Sequence, residues 1–150
     1  MKSKLAMIAL VAPMLVAAQD PRPPVQHFTR PGSTAPFSPA VRVGDNLYLS
    51  GAIGARPDGT LPEGLEAQAR QTMDNIGAVL AMTGHGFRDL VRCTVMLDNM
   101  SDWPAFNRVY VTYFQNMPLP ARSAFGADGL ALGALVEVEC QAYAPARPAQ

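Results

Sequence analysis

One arginine and a pair of glutamates are the residues of this sequence best suited to chemistry. Arg122 begins a short apolar segment that follows two prolines, and Glu137 and Glu139 alternate with valines near the C-terminal end. An arginine is costly to bury without an anionic partner, and its planar guanidinium binds a carboxylate through two parallel hydrogen bonds. The residues alone leave two interpretations open: a structural ion pair between arginine and glutamate, and a binding group for a substrate carboxylate.

Two cysteines are the only other reactive side chains that fall in a regular pattern. Cys93 and Cys140 are the only cysteines, and each is in phase with the apolar side of a predicted strand. The preferred interpretation is that both are small buried hydrophobic residues. A disulfide between them is the first alternative, and a catalytic thiol is the least favoured.

Composition excludes several classes of function. The chain has 150 residues, of which 49% are hydrophobic and 16% charged, which is enough for one domain with a substantial core. Its 12 basic and 12 acidic residues balance, so no electrostatic surface for nucleic acid is expected. With only two cysteines and two histidines, the composition argues against a cysteine-rich zinc site and against a c-type haem.

The N-terminal segment has the layout of a secretory signal peptide over residues 1–18. A short positive segment precedes an apolar run over residues 5–15, and small residues follow before a polar Gln19. The run is short for a membrane span, and the alternatives are an uncleaved anchor and a chance apolar N-terminus. We therefore expect a periplasmic or secreted protein with no membrane association after cleavage. Because the only lysines are Lys2 and Lys4, the mature chain could form no Schiff base.

The remaining chain divides into three parts. Residues 19–35 are rich in proline and are expected to form an extended, partly disordered lead-in. Residues 36–144 form the predicted domain, and residues 145–150 form a C-terminal tail.

Within the domain, hydrophobic periodicity predicts the order β-β-α-β-α-β-β. The predicted elements are a hairpin over 41–49, a helix from Leu65 to a Thr83-Gly84 end, a strand over 90–97, a helix from Ser101, and strands over 122–125 and 135–143. This order predicts an α+β fold with both helices on one face of a mixed sheet.

The faces of two elements follow from their spacing. In the last strand, Val136, Val138, Cys140 and Ala142 should face the helices, which leaves the glutamates on an open face that we expect to serve in assembly. The second helix carries an aromatic stripe that should pack on the sheet rather than stack on bases: Trp103, Phe106, Tyr110, Tyr113 and Phe114.

Five segments, in their order and spacing, resemble the RidA family, the YjgF/YER057c/UK114 group of small trimeric proteins. They are residues 43–51, 68–76, 107–110, the Pro-Ala-Arg-Ser segment at 120–123, and residues 134–139 with Val-Glu-Val-Glu. The last two are the most specific, and the resemblance covers residues 36–143.

The resemblance implies a chorismate-mutase-like fold of the bacillus type, assembled as a homotrimeric barrel with clefts between neighbours. It also implies hydrolysis of reactive 2-imino acids and their enamine tautomers to 2-oxo acids and ammonia. The resemblance implies that Arg122 binds the substrate carboxylate and that Glu137 positions the attacking water or relays protons. The cleft would be lined by Ser50, Gly51, Asn107, Phe37 and Ser123. An iminium carbon is already electrophilic, so the reaction needs no metal and no cofactor.

Two positions depart from the family pattern. Phe37 replaces a tyrosine found in many members, so the hydroxyl of that ring is absent, and Ala124 stands where some relatives have a reactive cysteine. The alternative function is a non-catalytic trimeric module that binds small molecules or acts as a holdase. A nuclease role is least favoured, because the chain has no basic surface and no histidine pair.

Overall fold

The computed structural model describes residues 23–145, which form a seven-stranded mixed sheet with two helices. The predicted signal peptide, residues 19–22 of the lead-in and residues 146–150 of the tail lie outside the described residues. The strands are β1 (Val25–Phe28), β2 (Ala40–Val43), β3 (Asn46–Leu49), β4 (Ala52–Ile53), β5 (Leu90–Leu97), β6 (Ala121–Gly126) and β7 (Val136–Tyr143), and the helices are α1 (Leu65–Met82) and α2 (Trp103–Tyr110).

The sheet has the strand order β1-β2-β3-β7-β5-β6, and β4 pairs with β7 beyond the end of β3. Only β5 and β6 run parallel to each other, whereas the other pairs are antiparallel. The predicted α+β fold with both helices on one face of a mixed sheet is confirmed. Two strands were not predicted. β1 lies within the lead-in and β4 has two residues, and both are too short to show a period of two.

The two helices pack their apolar sides against the sheet and against each other. The predicted helix from Leu65 is confirmed as α1, and every residue of its predicted apolar stripe from Leu65 to Leu80 is buried. α2 begins two residues later than expected, because a 3₁₀ turn over Met100–Asp102 precedes it. The side chain of Asn99 accepts a hydrogen bond from the Ser101 N–H in this turn at 3.0 Å. Within residues 23–145, neither helix is long and apolar enough to cross a bilayer.

A disulfide joins Cys93 of β5 to Cys140 of β7 in the buried core. The two residues are paired in the antiparallel register, with their Cα atoms 4.1 Å apart. Both are buried as predicted, but the preferred interpretation of two unlinked hydrophobic residues is wrong. The catalytic thiol is excluded too, since neither cysteine is free. The period of two fixed the face of each cysteine, whereas the bond depends on the register between two distant segments.

Candidate active site

Arg122 lies on the edge strand β6 with its guanidinium between two aromatic rings of α2. Its Cζ atom lies 4.4 Å from the ring centre of Trp103 and 4.4 Å from that of Tyr110. The side chain is half-buried, and its Nη1 atom is buried without a hydrogen-bond partner among residues 23–145. Burial lowers the pKa of Arg122, an effect that the adjacent Tyr110 partly offsets. Because no carboxylate of the described chain is within ion-pair distance, the structural ion pair does not form within this chain.

Two further unpaired polar atoms lie on the same side of α2. Trp103, Asn107 and Tyr110 are four and three residues apart, so they share one face of the helix. Asn107 Oδ1 and the Tyr110 hydroxyl are both buried without hydrogen-bond partners within the described chain. Burial raises the pKa of Tyr110, so its hydroxyl stays neutral over the physiological range. We call Arg122, Trp103, Asn107 and Tyr110 the arginine cluster. Buried polar atoms are almost always satisfied, so three unsatisfied ones indicate a place for a ligand.

A second group of predicted residues meets at the break between β3 and β4. Ser50 and Gly51 form this break, and together with Phe37 they line a cavity of about 580 Å³ that reaches the C-terminal half of α1. A β carbon at Gly51 would overlap the carboxylate of Glu137, so only glycine allows the two residues to approach this closely. The Ser50 hydroxyl donates a hydrogen bond to the Ser38 carbonyl at 2.8 Å, which fixes the break. We call this space the glutamate cavity because Gly51 on its wall contacts Glu137, although Glu137 is not itself one of the residues that line it.

Glu137 is available for chemistry. It is half-buried on β7 opposite Ile53, and it makes no hydrogen bond or ion pair within residues 23–145. A carboxylate in this state can accept a proton from a water molecule beside it.

The arginine cluster and Glu137 lie on opposite faces of the sheet. Arg122 contacts α2 on the helix-covered face, whereas Glu137 alternates with the core residues Val136 and Val138 and therefore points to the open face. Ser123 follows Arg122 and also points to the open face, where its hydroxyl accepts a hydrogen bond from Arg92 Nη2 at 3.1 Å. One chain therefore places Asn107 on the helix face that contacts Arg122, and it places Gly51 against Glu137 with Phe37 and Ser50 on the same cavity wall as Gly51. It does not bring Ser123 to Arg122.

Sequence reasoning did not identify all residues of these two groups. Of the predicted aromatic stripe, Phe106 and Tyr110 of α2 and Phe114 of the 3₁₀ turn that follows α2 are buried in the core. The contacts of Trp103 and Tyr110 with Arg122 were not predicted, although the spacing of the two rings around Asn107 could have suggested them. Arg30 and Arg56 line the glutamate cavity and had no sequence signal. Across the described chain, no three histidine, cysteine, aspartate or glutamate side chains are grouped to hold a metal ion.

Comparison with known proteins identifies the family. A family model described as Endoribonuclease L-PSP, which covers the RidA/YjgF proteins, matches residues 28–144. The chain belongs to this family, and the predicted family is thereby confirmed.

Two named relatives and two solved structures are similar to this chain over most of their own length. The chain is 38% identical to a mouse protein and 40% identical to a goat protein, both named 2-iminobutanoate/2-iminopropanoate deaminase, over 111 residues in each case. These matches cover 73% of this chain and 82% and 80% of the two relatives. RidA from an Antarctic Psychrobacter has a TM-score of 0.73 at 35% identity, covering 79% of this chain and 98% of that one. TdcF from E. coli with bound serine has a TM-score of 0.71 at 28% identity, covering 75% and 91%.

Proposed function

We propose that this protein is a deaminase that hydrolyses reactive 2-imino acids to 2-oxo acids and ammonia. The relatives named 2-iminobutanoate/2-iminopropanoate deaminase support this class of reaction. The observation that carries the proposal is the Arg122 guanidinium, which lies between two rings with a buried nitrogen that no group of the described chain binds. A small carboxylate is the ligand that best matches this donor.

The arginine cluster binds the substrate carboxylate. Arginine remains cationic at neutral pH even where burial lowers its pKa, so the buried charge favours an anion over water. The rings of Trp103 and Tyr110 fix the plane of the guanidinium and thus the direction of its N–H groups. Asn107 Oδ1 accepts a hydrogen bond from the iminium nitrogen or from an ordered water.

Glu137 directs the water that attacks the substrate. The water oxygen forms a bond to C2 of the iminium, and Glu137 accepts a proton from this water, which gives a carbinolamine and a neutral glutamic acid. Glu137 returns the proton to the nitrogen, the C–N bond breaks, and the hydroxyl proton leaves with the departing amine. The products are a 2-oxo acid and an ammonium ion, and Glu137 is again a carboxylate.

The complete site requires a second protomer, and we propose that the protein is a homotrimer. The arginine cluster of one protomer would meet the glutamate cavity of the next, because one chain keeps Arg122 and Glu137 on opposite faces. The open face supports this assembly. It exposes three aromatic side chains, Tyr48, Phe125 and Tyr143, at 45%, 50% and 55% of their surface.

Export to the periplasm or beyond belongs to the same proposal. It rests on the signal-like segment over residues 1–18. The Cys93–Cys140 disulfide supports it, because disulfides persist in oxidising compartments and are rare in the cytosol.

Competition with semicarbazide tests the activity. An amino acid oxidase generates 2-iminobutanoate, semicarbazide traps it as an absorbing semicarbazone, and the purified protein should lower the trapped fraction. Arg122→Ala and Glu137→Gln should each remove this effect, whereas Arg88→Ala, at an exposed position outside both groups, should retain it. Trapping unchanged by the wild-type protein would contradict the deaminase. If 2-oxobutanoate then still raised the Tm of the wild type but not of Arg122→Ala, the non-catalytic binding module would be favoured.

A further inference from the structure

Two arginines line the glutamate cavity, and the proposed reaction uses neither. Arg30 comes from the loop between β1 and β2, and Arg56 from the loop after β4. No aspartate or glutamate lines the cavity within the described chain, and most of its other walls are apolar, including Phe37, Val79 and Met82. The cavity therefore combines apolar walls with two positively charged side chains, which favours an anionic occupant.

Both arginines occupy the first position of a tight turn with proline second. In the turn that begins at Arg30, the Ser33 N–H donates to the Arg30 carbonyl at 3.1 Å, and Gly32 has a φ of 73°. In the turn that begins at Arg56, the Gly59 N–H donates to the Arg56 carbonyl at 2.9 Å. Proline at the second position and glycine at positive φ are the residues that such turns prefer. The backbone positions of both arginines are therefore fixed before any ligand binds.

Neither arginine forms an ion pair within the described chain, although Arg56 interacts electrostatically with Asp58. Arg30 makes no side-chain hydrogen bond or ion pair, and Arg56 donates to the Thr60 hydroxyl at 3.2 Å. Asp58 is in the same turn as Arg56, but its carboxylate accepts from the Thr60 hydroxyl at 2.7 Å and from the Thr60 N–H at 2.9 Å. The hydrogen bonds of Asp58 thus go to Thr60, while the Arg56 charge acts on it only through space. Each guanidinium therefore has donors free for a ligand.

We propose that Arg30 and Arg56 bind a second carboxylate at the far end of the substrate, so that the preferred substrates are 2-imino dicarboxylic acids. The inference rests on the proposed function, because it assigns the side-chain specificity of the same site. The first carboxylate binds at Arg122 of a neighbouring protomer, the reacting carbon lies beside Glu137, and the methylene groups pack on the apolar walls. Such imines arise by oxidation of acidic amino acids.

Two imines with the same five-carbon skeleton test this specificity. Glutamate oxidase makes 2-iminoglutarate from glutamate, and a broad amino acid oxidase makes 2-iminopentanoate from norvaline. For each imine, the fraction that is hydrolysed rather than captured as semicarbazone gives the relative kcat/KM. We expect the wild type to favour 2-iminoglutarate by about 10-fold, the effect of two partly exposed charge pairs. The variant Arg30→Gln/Arg56→Gln should lose this preference through a higher KM for 2-iminoglutarate, with 2-iminopentanoate changed less than about 2-fold.

A matched control and a binding measurement separate the possible failures. Arg88→Gln removes one exposed positive charge outside the cavity and should keep the preference. The product 2-oxoglutarate should raise the Tm of the wild type more than 2-oxopentanoate does, and this difference should vanish in the double variant. Equal hydrolysis of both imines by the wild type, or a preference that survives in the double variant, would overturn the inference and leave the deaminase intact. Hydrolysis of neither imine would overturn both.

Discussion

The guanidinium carbon of Arg122 lies 4.4 Å from the centre of the Trp103 ring and 4.4 Å from the centre of the Tyr110 ring. These two contacts hold a charged side chain on an edge strand that has no other partner for it in the described chain. The rings keep the guanidinium plane in one orientation, so its outward N–H groups are directed before a ligand arrives. Under the proposed function, Trp103 and Tyr110 are therefore positioning residues for Arg122.

Replacing Trp103 should weaken substrate binding more than catalysis. A cation–π contact contributes about 0.5–2 kcal/mol, which corresponds to roughly 3- to 30-fold in affinity. We expect Trp103→Leu to raise the KM for 2-iminobutanoate and the inhibition constant of 2-oxobutanoate by about 10-fold, with kcat within about 2-fold. Trp103→Phe keeps an aromatic face and should recover most of the loss. An unchanged inhibition constant in a folded Trp103→Leu protein would remove the positioning role.

The contact between Tyr113 and Asp74 should make stability depend on alkaline pH. The Tyr113 hydroxyl donates to Asp74 Oδ1 at 2.8 Å and lies 3.0 Å from the Arg70 carbonyl. Burial, followed by Asp74, raises the pKa of Tyr113 to about 12 from an ordinary value of 10.0. The folded state thus binds the phenolic proton more tightly than the unfolded state. The contribution of the Tyr113 hydroxyl to stability is complete below pH 10 and is lost as the pH rises through about 12.

Tyr113→Phe tests this contribution. The variant should lose about 1 kcal/mol of unfolding free energy at pH 7, because Asp74 loses a hydrogen bond. The difference between the wild-type and variant curves from urea denaturation should shrink between pH 10 and pH 12. Because both proteins contain the other titrating groups, including Tyr110, the effects of those groups on stability cancel in this difference. A difference that stayed constant over this range would show that the Tyr113 pKa is not raised.

The Cys93–Cys140 disulfide should be a main source of stability. It closes a loop of 47 residues, and the chain-entropy account assigns about 4 kcal/mol to a loop of this length. We expect dithiothreitol to lower the unfolding free energy of the wild type by about 2–4 kcal/mol. Cys93→Ala/Cys140→Ala should be less stable and insensitive to dithiothreitol. Thiol titration of the unfolded, unreduced wild type should detect no free thiol, and two thiols there would contradict the disulfide.

The long elements of the fold could be predicted because their hydrophobic period is sampled many times. α1, with 18 residues, repeats its apolar stripe over several turns, and β5 and β7, with eight residues each, alternate clearly. β1 and β4 could not be predicted, since four and two residues carry little periodicity and their pairing partners define them.

The sequence predicts the residues of the candidate site one by one but not how they are arranged. Arg122 and Glu137 were identified by the family resemblance, and the alternation of β7 gave the face of Glu137. That Arg122 lies on the other face depends on how β6 packs against α2, which no local pattern specifies. The pairing of the two cysteines and the positions of the two arginines in the glutamate cavity also depend on contacts between distant segments.

Mixed trimers should reveal whether Arg122 and Glu137 act across protomers. Arg122→Ala and Glu137→Gln proteins should each be inactive alone, and a size measurement should show that both are trimers. The two proteins are unfolded and refolded together at equal concentrations. Random assembly then makes three quarters of the trimers mixed, and each mixed trimer contains one cleft in which both residues are intact. The mixture should therefore recover about one quarter of wild-type activity, as closed cyclic symmetry predicts.

The control for this experiment is the same two substitutions in one chain. Arg122→Ala/Glu137→Gln refolded with the wild type can only dilute active clefts, and refolded with either single variant it should give none. If Arg122 and Glu137 of the same chain formed the site, every protomer in the first mixture would lack one of them. That mixture would then stay inactive although its trimers had mixed, and a site within one protomer would have to replace the shared cleft.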